Sequence, residues 1–187
     1  MRIIAGEFRS RQLQSPKGTA TRPTTDRARE SLFNVLNNLI VFNGIRVLDL
    51  YAGSGAFAFE ALSRGAQHAT LVERDRRAIL AIDANAKSLD VKDRVAVFHS
   101  DVLAFLRKQS KQFDLLFADA PYEDEHSREL LPTLLLEKTA RNGICIIEHR
   151  STDSIVLAEG SKLLRELNAG EASFSIFQKH STSIPVL

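Results

Sequence analysis

From Ile45 onward, apolar runs of strand length alternate with segments whose apolar residues recur at helical spacing. The run IRVLDL predicts a buried strand, followed by a glycine loop and a helix through Ala61 and Leu62 that stops at Gly65. HATLVE predicts the next strand, after which Ala78, Ile79, Ile82, Ala86 and Leu89 fall on one face of a helix. RVAVF, FDLLFA and GICIIE continue the strand series, with helical segments over 101–108 and 125–136 between them. Pro132 lies inside the second helical segment and is expected to end or kink it, because proline lacks the amide and crowds the preceding turn. Strand and helix alternating in this way predict βαβ units, a parallel sheet and right-handed crossovers. The end of the chain departs from that rhythm. KLLRELN and ASFSIFQ flank Ala169-Gly170-Glu171 with no room for a helix, so an antiparallel hairpin on one sheet edge is expected.

Upstream of Ile45 the pattern is different. Ile3 to Leu13 alternates weakly around Gly6 and predicts a small hairpin. Pro23-Thr24-Thr25 then supplies the start signal of a helix carrying Leu32, Phe33, Leu36, Leu39 and Ile40 on one face. The chain thus divides into a hairpin and helix over 1–40, packed on the core, and an α/β domain over 41–187.

Composition narrows the class. At 187 residues, with 44% apolar and 26% charged side chains, the chain suits one globular core. No run approaches the ~18–20 apolar residues of a membrane span. The segment MRIIAGEFRSRQ has arginines but lacks the apolar stretch of a secretory leader. The lone Cys145, inside GICIIE, is expected to be a buried strand thiol. These features predict a cytoplasmic protein without a membrane partner; a monomer is expected, although nothing in the sequence fixes the oligomeric state. The net charge of +2 is unevenly spread: residues 1–29 carry +5, which leaves −3 for the rest. A basic arm on a mildly acidic body points to a polyanionic partner, with Arg2, Arg9, Arg11, Lys17 and Arg22 as candidate phosphate contacts.

The strongest local signal is Asp49-Leu50-Tyr51-Ala52-Gly53-Ser54-Gly55, directly after a strand and opening a helix. Glycines there let a cofactor lie against backbone, with helix N–H groups pointing at it. Gly53 to Ala58 also fits the dinucleotide fingerprint G-x-G-x-x-G/A, so the glycines alone leave the cofactor open between S-adenosyl-L-methionine, a nucleotide and a structural turn. Asp49 bears on the choice: a carboxylate at the strand end would repel a pyrophosphate but suits an ammonium and a sulfonium. Glu73 ends the second strand 18 residues after Gly55, near the ~20 expected of an acid that bonds ribose hydroxyls. Asp101, next to Val102, follows the third strand and can either accept from an adenine amine or cap the next helix. Ala52 and Val102 complete the candidate cofactor contacts.

The fourth strand ends in Asp119-Ala120-Pro121-Tyr122. An exocyclic amine on a base is a poor nucleophile because its lone pair is delocalised into the ring. The Asp119 carboxylate and the Ala120 carbonyl accepting its two N–H bonds would free that lone pair, and Tyr122 would stack the base. The five histidines show no ligand spacing with the acids or Cys145, so no metal is expected.

These residues together resemble the bacterial RsmD family, class I methyltransferases that modify the N2 amine of a guanine in 16S ribosomal RNA. The resemblance runs through Arg2 to Gly6, Arg22 to Asn34, Asp49 to Gly55, Glu60 to Ala66 and Asp119 to Tyr122, and Arg22-Pro23-Thr24-Thr25-Asp26-Arg27 is its most specific part. It implies a Rossmann-like, seven-stranded sheet that is mostly parallel with an antiparallel C-terminal hairpin. It also implies cofactor contacts at Asp49, Gly53, Gly55, Glu73 and Asp101, and a Thr24–Thr25 segment folded over the methionine end of S-adenosyl-L-methionine. The substrate amine would be held at Asp119, and the partner would be 16S rRNA, the 30S subunit or an assembly intermediate. One position departs from the family pattern, Asp/Asn-Pro-Pro-aromatic: Ala120 stands where the first proline is usual. Alanine keeps the carbonyl and, before Pro121, the extended bias. Without the ring the site is less rigid by about 0.4–1 kcal/mol, so activity is expected to survive. Alternatives are methylation of adenine N6 or of a glutamine side chain, a non-catalytic RNA-binding module of the same fold, and a nicotinamide oxidoreductase.

Overall fold

In a computed structural model that describes residues 1–16, 25–121 and 124–179, the apolar runs become β1 (Arg46–Leu50), β2 (His68–Glu73), β3 (Val95–His99), β4 (Phe113–Ala118) and β5 (Thr139–Arg150). These five strands pair in parallel. The terminal runs form β6 (Ser161–Ala169) and β7 (Ala172–Lys179), an antiparallel pair of which β7 lies against β5. The sheet order is β3-β2-β1-β4-β5-β7-β6, so the expected hairpin does close one edge.

Helices cover both faces, and the sheet residues alternate between them as the pleat requires. Val47 packs into an apolar cluster with α1 (Asp26–Leu36), α2 (Ala56–Ser63) and α3 (Arg76–Ser88). Its neighbours Leu48 and Leu50 join the opposite cluster, with α4 (Val102–Lys108) and α5 (Glu125–Lys138). Ile3, Phe8 and Leu13 belong to the first cluster, so the N-terminal segment is part of the main core. Each cap follows from local chemistry: Thr25 accepts from the Ala28 N–H at 3.1 Å, Asp75 from Arg77 at 2.8 Å and Asp101 from Ala104 at 2.9 Å.

Three expectations are refined or corrected. Ile3 to Leu13 does fold back on itself, with backbone bonds from Ile3 to Arg11, Ser10 to Ile3 and Leu13 to Met1, but it forms an isolated bridge between Arg2 and Gln12 in place of two full strands. Gly6 is there for close approach, since a Cβ on it would lie 1.9 Å from the Ser63 carbonyl oxygen. Second, α1 stops at Leu36, where the N–H groups of Leu39 and Ile40 both close on the Leu36 carbonyl. Leu39 therefore leaves the helical face and is 40% exposed. Third, α5 does not end at Pro132 but runs through it to Lys138, with Leu131 and Leu135 fully buried on either side of it. Packing on that face outweighs the amide that proline cannot supply.

Candidate active site

The carboxyl ends of β1 and β4 lie side by side where the strand order reverses, which is where open α/β sheets leave a crevice for ligands. Asp49 reaches this crevice from β1 and is almost fully buried. Its Oδ2 accepts from the Ala58 N–H at 3.0 Å, which ties the strand end to the first turn of α2. Burial drives the Asp49 carboxyl up to about 8, and the nearby Glu73 charge adds to the shift, while the Ala58 bond opposes it.

The glycine loop between β1 and α2 has the backbone that only its residues allow. Gly55 caps α2 at φ +77, and a Cβ on it would sit 2.6 Å from the Phe59 ring and 2.9 Å from Leu71. Tyr51 also adopts positive φ, at 57°, a conformation costly for a side-chain-bearing residue and one that recurs at ligand sites. Burial and the carboxylates of Asp124 and Asp101 raise the Tyr51 phenol above its usual value, against a hydrogen bond to Ser127.

Glu73 is a staple of this loop. One carboxylate oxygen accepts from Gly53 N–H at 2.9 Å, and the other from Arg74 and Asp75 N–H at 2.7 and 2.8 Å. The helix after β2 is capped by Asp75, which leaves Glu73 bridging the ends of β1 and β2. Asp101 does cap α4 with one oxygen, and Ser100, just before it, bonds the Glu73 carbonyl through its N–H at 3.0 Å. Asp49, Gly53, Gly55 and Glu73 are thus one connected unit, with Ala52 buried behind it and Asp101 and Val102 opening the neighbouring helix. This set of residues fits a cationic ligand: two buried carboxylates oppose a pyrophosphate and favour a sulfonium and an ammonium.

Asp119 follows β4, its N–H directed at the Leu50 carbonyl at 3.5 Å. Burial raises its carboxyl well above the usual range, and the charges of Glu148 and Asp49 raise it further. Ala120 is buried behind it, and the Pro121 carbonyl accepts from Asp124, whose side chain caps α5 through Ser127. Tyr122, Thr24, Lys17 and Arg22 lie outside the described residues; Thr25 is the cap of α1. Of the arm residues, Arg2 and Arg9 are exposed, and the Arg11 guanidinium donates to the Ser88 carbonyl at the end of α3. Arg2, Arg9 and Arg27 line a groove of about 510 Å³ between the arm and α1, together with Asp26 and Glu30.

Several residues were not legible as site residues in the sequence. Glu148, on β5, lines a cleft beside Asp119 with Phe57, Phe117 and Phe174. Asn85 is buried on α3, where it donates to the Ser54 carbonyl of the glycine loop and bonds both backbone groups of Gln14. Glu60, fully buried on α2, accepts from the N–H groups of Ile4 and Ala5 and pairs with Arg64 at 2.8 Å. Buried Asn and Glu on apolar helix faces are signals in themselves, because such groups require partners.

The family model described as Conserved hypothetical protein 95 matches residues 1–178. The chain belongs to this family. Among similar proteins, Ribosomal RNA small subunit methyltransferase D of Escherichia coli K12 is 34% identical over 185 residues, spanning 97% of this chain and 91% of that one. YlbH of Bacillus subtilis, whose name assigns it provisionally to rRNA methylation, is 39% identical over 154 residues, 80% of this chain and 82% of its own. The solved structure of yhhF from Escherichia coli superposes with a TM-score of 0.85 at 32% identity, over 96% of this chain and 98% of that one. At 17% identity, SMU.776, solved in complex with SAH, shares the fold alone, with a TM-score of 0.66 over 80% of this chain and 49% of that one. The Conserved hypothetical protein 95 family and the RsmD resemblance of the sequence coincide, and the fold is that of a class I methyltransferase.

Proposed function

We propose that this protein transfers a methyl group from S-adenosyl-L-methionine to the N2 amine of a guanine in 16S rRNA, as a monomer acting in the cytoplasm on the 30S subunit or its precursor. The observation that carries the reading is Asp119: a half-buried carboxylate just past the carboxyl end of β4, beside the glycine loop, in a chain whose relatives are named for methylation of small-subunit rRNA. Asp49 and Glu73 would hold the cofactor's ammonium and ribose, and Asp101 its adenine amine. S-adenosyl-L-methionine supplies an electrophilic methyl on a sulfonium whose leaving group is a neutral thioether. The protein then needs no general acid. Its contribution is alignment of the amine with the methyl carbon, and acceptance of the amine's N–H bonds by Asp119 and the Ala120 carbonyl as the lone pair leaves conjugation. The proton is released to Asp119 or to water once the new N–C bond has formed.

Methyl transfer from tritium-labelled cofactor to 16S rRNA, 30S subunits, DNA and protein tests the reading, with mass spectrometry of digested RNA. The expected product is N2-methylguanosine. Asp119→Ala should retain fold and cofactor affinity and slow transfer by about 10²–10³-fold, the scale for loss of one preorganised polar group. Ala120→Pro should keep or raise the rate. A folded Asp119→Ala variant working at the wild-type rate overturns the role of Asp119, and N6-methyladenosine as product overturns the choice of base.

A further inference from the structure

Asp119 and Glu148 stand next to each other on one face of the sheet. In the parallel pairing of β4 and β5, Ala118 lies opposite Ile147, so the residues that come next, Asp119 just past β4 and Glu148 on β5, are one strand spacing of ~4.8 Å apart. Glu148 lies opposite Phe174 on β7, and Phe57 of α2 packs edge-on against Phe174 with ring centroids 6.4 Å apart. Phe57 also stacks on Phe117 at 5.0 Å. The result is a cleft lined by three aromatic rings and two carboxylates. The cleft is open and shallow, with room of about 10 Å³ for a single water, so a planar base would meet it by an edge and not with its whole ring.

The order of the strands sets which edge. β1, β4 and β5 present Asp49, Asp119 and Glu148 in that sequence. With the methionine end of the cofactor at Asp49 and the reacting amine at Asp119, a base entering the cleft has the ring atoms next to that amine toward β5. In guanine the N2 amine lies between N1–H, a donor, and N3, an acceptor, and it is the N1–H side that suits a neighbouring carboxylate. In adenine the neighbour of the N6 amine is N1, an acceptor. A carboxylate beside the amine site accepts from the first and repels the lone pair of the second.

We propose that Glu148 determines base specificity by accepting the N1–H of the target guanine while Asp119 holds the N2 amine; this rests on the guanine reading given above. Glu148 touches the substrate but takes no part in methyl transfer. The charge of Glu148 already acts on Asp119, so the two carboxyls share one environment. A site built to bond a donor discriminates strongly against an analogue that lacks it.

The test uses full-length wild type and Glu148→Gln, both checked for fold by thermal melting and for cofactor affinity by calorimetry. Substrates are 16S rRNA and reconstituted small subunits carrying guanosine, or 2-aminopurine ribonucleoside, at the modified position. 2-Aminopurine keeps the N2 amine but offers N1 as an acceptor. Wild type should favour guanosine by ~10²-fold or more in kcat/KM. Glu148→Gln, whose amide can donate to N1, should lose ~10–10²-fold on guanosine and narrow that preference at least tenfold, with unchanged cofactor affinity. Glu148→Ala should lose guanosine activity without gaining on 2-aminopurine. Equal guanosine preference in wild type and a folded Glu148→Gln variant overturns the assignment to Glu148. Absence of transfer by wild type to any guanosine-containing small-subunit substrate overturns instead the reading on which it rests.

Discussion

On the proposed reading, in which Asp49 holds the cofactor, cofactor binding and protonation are coupled. Its folded carboxyl stands at about 8 against an ordinary 3.8, so the ligand-free protein holds a proton that the unfolded chain releases at neutral pH. The stability contributed by that proton is present in acid and is lost as the pH rises toward 8. A sulfonium or ammonium beside Asp49 favours the ionised form and pulls the value down. Binding at pH 7 should therefore release close to one proton, and affinity for S-adenosyl-L-methionine should rise with pH up to about 8 and then level off. Calorimetry in two buffers of different ionisation heat reads the proton count directly. Asp49→Asn should abolish the proton release and weaken binding at every pH; a wild type that releases no proton removes Asp49 from the cofactor site. Asp49 was legible because Asp-x-x-x-Gly-x-Gly after a strand has few uses. Glu148 was not: GICIIE reads as an apolar run closed by an acid, and nothing in it says which strand lies alongside. Its meaning appears only with the register of β4 on β5.

At the level of elements, the α/β alternation was readable because buried parallel strands and amphipathic helices have different periods. What periodicity misses is attachment. The segment before α1 contributes little regular structure, yet Glu60 of α2 and Asn85 of α3 bond its backbone at Ile4, Ala5 and Gln14. Asn85 also holds the Ser54 carbonyl, so one side chain joins arm, helix and glycine loop. Asn85→Ala would leave those backbone groups without this partner in a buried site, a loss on the order of 1–3 kcal/mol. A lower melting temperature is expected, together with weaker cofactor binding, because Gly53 and Gly55 share the loop that Asn85 steadies. Asn85→Asp, which keeps an acceptor for the Gln14 N–H, should fall between the two. If Asn85→Ala melts lower but binds cofactor as wild type does, the arm is anchored independently of the loop. The Pro132 outcome makes the same point from the other side: a local rule about proline yields where Leu131 and Leu135 have no other place to be buried.

For the whole molecule, charge separation and anchoring combine into one expectation about RNA. Among the described cations of residues 1–29, Arg2, Arg9 and Arg11 lie on a segment bonded to α2 and α3, and Arg27 and Arg29 on α1, so these are held at fixed places relative to Asp119. They do not contribute equally. Arg2, Arg9 and Arg27 border the groove between the arm and α1. Arg29 is buried and spends its guanidinium on the Arg2 carbonyl and on Asp26, and Arg11 spends part of its own on the Ser88 carbonyl. Phosphate contacts should come from the first group. Removing one arginine–phosphate pair flattens the dependence of log affinity on log salt by up to ~0.9 on a duplex and ~0.7 on a single strand, by analogy with DNA. Replacing Arg2, Arg9 and Arg27 with glutamine should therefore weaken small-subunit RNA binding most at low salt and lower the slope by about two to three, with S-adenosyl-L-methionine affinity unchanged. Arg11→Gln should shift the slope less than any of the three, because its guanidinium is already bonded within the protein. The measurement is filter binding of 16S rRNA across a salt series. A triple variant with the wild-type slope would move the RNA away from this groove, to the residues beyond the arm that carry the remaining cations.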